Sequence, residues 1–126
     1  MNILLDTHIF LWALTDESKL SARVRKLLPT ANIWFSVASI WEILIKSQAG
    51  RLPLPPPVGP FVISKLAFNG VRVLPVTTDH VLRIEFLPGH HRDPFDRMLI
   101  AQSQAEKLPL VTADPIFARY AVEVIW

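Results

Sequence analysis

The chain contains no cysteine. Disulfides, thiolate metal sites and cysteine nucleophiles are therefore excluded. No apolar run approaches the roughly 20 residues needed to cross a bilayer. The opening Met1–Asp6 has neither a basic n-region nor a cleavage site, so a soluble, cytoplasmic protein with no membrane association is expected. Internal repeats and low-complexity stretches are also missing. An excess of either charge is absent too: 13 Lys and Arg stand against 11 Asp and Glu, a net of +2. That balance alone describes an ordinary mixed surface. If four of the acids share one site, however, the rest of the surface is distinctly basic, which suits a polyanionic substrate drawn to an acidic, metal-loaded centre. What is abundant is apolar: 51% of the 126 residues are hydrophobic. Global disorder is ruled out, one domain covering 1–126 is expected, and some apolar surface is left over for a partner.

Strand and helix signals alternate along the chain. Asn2–Leu5 is a short apolar run that suits a strand buried on both faces. A short helix over Ile9–Leu14 follows. Ser18 or Ser21 then caps a helix that places Leu20, Val24, Leu27 and Leu28 on one face and stops at Pro29. Ile33–Val37 is a strand. Ser36 or Ala38 begins a helix through Ile40, Ile43, Leu44 and Ser47, closed by Gly50 as a left-handed cap. Pro53–Pro60 reads as a stiff connector that is neither helix nor central strand. Helix Phe61–Phe68, strand Val71–Val76 and a helix capped by Thr77 or Thr78 come next. Residues 88–93 form a loop, and Asp93-Pro94 starts a helix through Phe95, Met98, Leu99 and Ala105. Leu108–Thr112 is a strand, Asp114-Pro115 opens a short helix, and Val122–Ile125 is a last strand. This alternation implies an α/β fold with a parallel sheet covered on both faces.

Ligands in such sheets bind beyond the carboxyl ends of the strands. Asp6 and Asp114 fall at those ends. Glu42 and Asp96 are expected on, or nearly on, the first turns of helices at the same edge. Each acid has a plain structural account. Asp6 could cap the helix that follows it, and Glu42 could form a surface pair with Lys46, worth about 0.2–0.5 kcal/mol. Asp96 could favour its helix dipole, and Asp114 could cap the turn that Pro115 opens. Asp93 is best read as a cap. Gathered together, the four would form an oxygen-rich site for a hard divalent cation and point to hydrolysis of phosphodiesters. His8, His80, His90 and His91 match no zinc spacing. His90-His91-Arg92 reads as a solvated or phosphate-contacting loop. The four tryptophans read as core or interface.

Leu4-Leu5-Asp6-Thr7-His8, Ser39-Ile-Trp41-Glu42-Ile, Arg92-Asp-Pro-Phe-Asp96-Arg97-Met-Leu-Ile-Ala-Gln and Leu110-Val-Thr112-Ala-Asp114 resemble, in order and over the whole chain, the successive motifs of PIN-domain proteins. The nearest likeness is to VapC-type toxins of toxin–antitoxin pairs. The resemblance implies an α/β/α sandwich around a parallel sheet and an endoribonuclease dependent on Mg²⁺ or Mn²⁺. It implies Asp6, Glu42 and Asp96 as core acidic ligands, Asp114 as a fourth, and Thr112 at the site's edge. It also implies an RNA substrate, a homodimer and a cognate antitoxin protein.

A PIN nuclease of RNA processing and a catalytically silent interaction domain are the competing expectations within the same fold. A phospho-acceptor receiver module is disfavoured, since such modules need adjacent acids after the first strand and Asp6 stands alone.

Overall fold

The computed structural model describes residues 1–126. Five strands form one sheet: β1 (Asn2–Leu5), β2 (Asn32–Ser36), β3 (Arg72–Leu74), β4 (Leu110–Val111) and β5 (Val124–Ile125). Their spatial order is β3-β2-β1-β4-β5, and every pairing is parallel. The apolar run Ile3-Leu4-Leu5 is buried because β1 is the central strand and both its faces are covered.

Side chains alternate across the sheet and divide the core into two layers. Ile3, Leu5, Phe35, Val111 and Ile125 face one way, into a cluster completed by Ile9, Phe10, Leu11, Leu20, Val24, Ile43, Val62 and Leu66. That side is covered by α1 (Thr7–Thr15), α2 (Ala22–Leu27), α3 (Val37–Gln48) and α4 (Val58–Phe68). Leu4, Leu74 and Leu110 face the other way, against Leu99, Ile100, Phe117 and Tyr120. There α6 (Pro94–Glu106) and the 3₁₀ turn Pro115–Arg119 form the cover, and α5 (Thr78–Arg83) packs against α6. The expected α/β/α layering is thus present.

Helix starts follow the side chains that satisfy their first amides. Ser21 rather than Ser18 caps α2, accepting from the Val24 amide at 3.1 Å. Ser36 caps α3 and Thr77 caps α5. Asp93 caps α6, accepting from the amides of Phe95 and Asp96. Gly50 follows α3 with φ +72°, the left-handed cap that a side chain would strain.

Three expectations need correction. Helix α1 begins at Thr7, two residues earlier than Ile9. Asp6 holds the N-cap backbone position, yet its side chain makes no capping bond. Helix α4 starts at Val58, inside the proline-rich stretch. Pro60 is its third residue, where no intrahelical amide is required, so the ring is tolerated. The strand regions β3, β4 and β5 are shorter than expected, because only three, two and two residues find ladder partners.

Candidate metal centre

Strand order reverses direction at β1: β2 lies on one side and β4 on the other. The crevice at the carboxyl ends of β1 and β4 is where an open parallel sheet places ligands. The ladder delivers Asp6 there, its amide donating to the Val111 carbonyl at 2.9 Å. One strand over, the Thr112 amide donates to the Ile125 carbonyl at 3.2 Å. The Thr112 hydroxyl then donates to Asp6 Oδ2 at 2.8 Å. Asp6 Oδ1 is buried and has no hydrogen-bond partner.

A cavity of about 270 Å³ opens over this edge, lined by Asp6, His8, Trp12, Asp96, Ala113 and Asp114. Asp96 arrives from the first turn of α6. Asp114 caps the 3₁₀ turn Pro115–Arg119 through Oδ1, which accepts from the Ile116 amide at 2.9 Å, and keeps Oδ2 for the site. Its structural role and its place in the cluster therefore coexist on different oxygens.

Glu42 belongs to the cluster differently. It lies in the second turn of α3 rather than the first, and it is 2% exposed, so the solvent-facing surface pair does not describe it. Oε1 accepts from the Thr7 hydroxyl at 2.7 Å, and Oε2 pairs with Lys46 Nζ at 2.6 Å. Thr7 Oγ1 also lies 2.8 Å from Ser39 Oγ. Both Glu42 oxygens are thus occupied, and Glu42 stands behind the cavity rather than in its wall.

His91 has a place that the sequence reading did not give it. It is no solvated loop residue: its Nε2 lies 3.0 Å from Asp96 Oδ2 and 3.1 Å from Asp114 Oδ2, with the side chain 12% exposed. The loop that carries it is clamped from two sides. The Arg97 guanidinium donates to the carbonyls of Ile84, Leu87, Pro88 and His91. Tyr120 Oη accepts from the His91 amide at 2.7 Å and donates to the Pro88 carbonyl at 2.8 Å. His91 Nδ1 accepts from the Asp93 amide at 3.3 Å. That bond leaves Nε2 as the nitrogen that carries the proton toward both carboxylates. No local sequence signal separates His91 from a solvated loop residue, because the side chains that clamp it, Arg97 and Tyr120, lie outside the loop.

Crowding of negative charge leaves a clear electrostatic mark. Burial, then the charges of Asp6, Asp93, Glu42 and Asp114, push the Asp96 carboxyl up to about 8. Burial also raises Asp6; Glu42 adds to the rise, while the Thr112 hydrogen bond and His8 oppose it. Such groups ionise readily only if a cation joins them. An unpartnered buried carboxylate oxygen beside a carboxyl held protonated by burial and by its acidic neighbours fits a site for a hard cation. The donors are nearly all oxygen, which suits Mg²⁺ or Mn²⁺ rather than zinc. His91 Nε2 and one oxygen each from Asp96 and Asp114 lie within 4.8 Å of one another. With its proton on Nε2, the imidazole serves that group as a donor to the carboxylates.

The fold is that of a known family. The PIN domain model matches residues 3–123. The chain belongs to the PIN domain family. No curated protein matches it. Among solved structures, the PIN fold here is similar to a chain of the VapBC2 complex from Rickettsia felis bound to a DNA fragment from their promoter, with TM-score 0.74, 14% identity, and 99% of this chain and 98% of that chain covered. DNA-bound VapBC from Salmonella typhimurium gives TM-score 0.73 at 15% identity, covering 99% and 97%. FitAcB from Neisseria gonorrhoeae gives TM-score 0.70 at 19% identity, covering 100% and 97%. At these identities the likeness is one of fold. No helix of this PIN domain is long and apolar enough to cross a membrane.

Proposed function

We propose that this PIN domain is a divalent-metal-dependent endoribonuclease that acts as the toxin of a VapBC-like pair and is restrained by a cognate antitoxin. The family membership and the toxin–antitoxin complexes among its structural neighbours support the class. The observation that carries the site is Asp6 Oδ1, a buried carboxylate oxygen without a partner, on a residue that lines the same cavity as Asp96 and Asp114.

Asp6, Asp96 and Asp114 would hold Mg²⁺ or Mn²⁺, with Glu42 adding its charge from behind. When bound, the cation supplies Lewis acidity to a phosphoryl oxygen and makes water nucleophilic near neutral pH. The protein's own contribution is positional. Thr112 fixes Asp6 Oδ2 and so leaves Oδ1 pointing free. The His91 Nε2–H holds Oδ2 of Asp96 and of Asp114 at a set separation. Thr7 and Lys46 each hold one oxygen of Glu42 in place.

A cytoplasmic homodimer is part of the same reading. Its support is an apolar groove of about 370 Å³ lined by Val37, Trp41, Val81, Phe95 and Met98, in which Trp41 is 61% exposed and meets Phe95 edge-on at 5.2 Å.

The test is cleavage of total RNA by purified protein in Mg²⁺ or Mn²⁺. EDTA is expected to stop cleavage, and Asp6→Asn to remove it while the circular dichroism spectrum stays unchanged. An Asp6→Asn protein that cleaves at the parent rate would refute the site.

A further inference from the structure

The carboxylates of the acidic edge differ in how many oxygens they have left to give. Thr112 takes Asp6 Oδ2, and Asp6 Oδ1 stays without a partner. Asp96 Oδ2 lies 3.0 Å from His91 Nε2, so Asp96 offers its other oxygen most freely. Asp114 gives Oδ1 to the Ile116 amide, and it can approach a cation only by sharing Oδ2 with the His91 N–H. Glu42 has nothing to spare. The Thr7 hydroxyl donates to Oε1 at 2.7 Å, and Lys46 Nζ meets Oε2 at 2.6 Å. A single Mg²⁺ or Mn²⁺ is satisfied by one or two carboxylates, with water for the rest. A pair of ions about 3.5–4 Å apart would need further carboxylate oxygens, and Glu42 is where they would come from.

Glu42 is 2% exposed, and its charge already acts on both Asp6 and Asp96. A buried carboxylate without a counter-charge takes up a proton or a cation. Here the cation is the chain's own. Lys46 follows Glu42 by one turn of α3, and its side chain is 30% exposed. A cavity of about 500 Å³, lined by His8, Trp12, Arg51 and Lys46 itself, opens onto it. That cavity gives a hydrated ion a way toward Glu42 Oε2, and the ammonium stands at its end. We infer that Lys46 takes the place of a second metal ion on Glu42 and so limits the centre to a single cation. The inference rests on the metal-centre reading and adds a positioning residue to it, since Lys46 acts through Glu42. An ion pair that only stabilises α3 would change the melting temperature when broken, and would leave the number of bound ions as it is.

The experiment is equilibrium dialysis against Mn²⁺ at up to millimolar concentration, counting ions bound per chain in the parent, K46Q, K46R and E42Q/K46Q. One ion is expected in the parent and in K46R, which keeps the charge. K46Q is expected to bind a second ion, and E42Q/K46Q to return to one because the carboxylate is gone. Where K46Q is unfolded in EDTA, Mn²⁺ is expected to restore its circular dichroism spectrum, and the count is made in Mn²⁺. A K46Q chain that stays unfolded in Mn²⁺ overturns the inference, because the metal then cannot stand in for the ammonium. So do two ions in the parent, one ion in folded K46Q, or two ions in E42Q/K46Q. Each of these leaves the metal-centre reading in place. A parent that binds no Mn²⁺ refutes that reading, and the inference falls with it.

Discussion

His80 and His91 are built alike and serve different ends. Each takes a backbone amide on Nδ1, from Thr77 at 3.0 Å and from Asp93 at 3.3 Å. Each turns Nε2 to carboxylate, with Glu106 Oε1 at 2.8 Å for His80 and Asp96 and Asp114 for His91. His80 also completes a capping box on α5. Its carboxylate partner Glu106 is 44% exposed and reaches water. The partners of His91 lie in a crevice with Asp6 and Glu42 close by, and Asp96 is pushed up to about 8. The local hydrogen-bond pattern is therefore not what distinguishes a structural histidine from a site histidine. What distinguishes them is whether the carboxylates they meet are already balanced.

The comparison can be broken at several points. The largest expected effect is at the crowded end: Asp6→Asn lowers the rate of RNA cleavage by about 10³-fold or more, read in a Mn²⁺-supported assay. Next is the response to pH. In the folded, metal-free protein Asp96 binds its proton up to about pH 8, against an ordinary value of 3.8. The folded state thus holds a proton that the unfolded chain releases. Its stabilising contribution is complete below pH 3.8 and is lost as pH rises through about 8. Thermal melts in EDTA should show that decline, and Asp96→Asn should remove much of it. A melting temperature that rises over this window in EDTA would contradict the assignment.

His80→Ala should cost about 2 kcal/mol of stability, because the Thr77 amide loses its acceptor and Glu106 its imidazole partner, while Mn²⁺ affinity stays at the parent value. His91→Gln should do the reverse, weakening Mn²⁺ binding about tenfold with a modest change in the metal-free melt. If His80→Ala weakened metal binding as much as His91→Gln, the division between the two histidines would be lost. The smallest effect belongs to Glu106→Gln, expected within about 1 kcal/mol because its carboxylate is half in water.

Much of the frame was legible in the sequence, for reasons visible at particular residues. Ile3-Leu4-Leu5 announces a central strand because both its faces must be apolar. Asp93-Pro94 announces a helix start because the side chain and the ring each suit their position. Other features depend on partners distant in the chain. The Glu42–Lys46 spacing is that of an ordinary surface pair, and only the packing of α1 over α3 buries Glu42 beneath Thr7. Asp6 looks like a cap until Thr112, 106 residues away, takes its oxygen. His91 lies in a Gly- and His-containing loop that reads as solvated, and nothing local reveals that Arg97 and Tyr120 clamp it inward. Pro60 argues against helix from its type alone, because its tolerance depends on which turn it occupies.

Calorimetric titration of Mn²⁺ into the parent and Asp6→Asn proteins, near pH 7.5 and in buffers of different ionisation enthalpy, tests the central claim most directly. Saturable binding by the parent is expected, with release of protons, since Asp96 must give up the proton it holds in the metal-free state. Loss of that binding is expected in Asp6→Asn. No binding by the parent at millimolar Mn²⁺, or equal binding by both proteins, would contradict that claim.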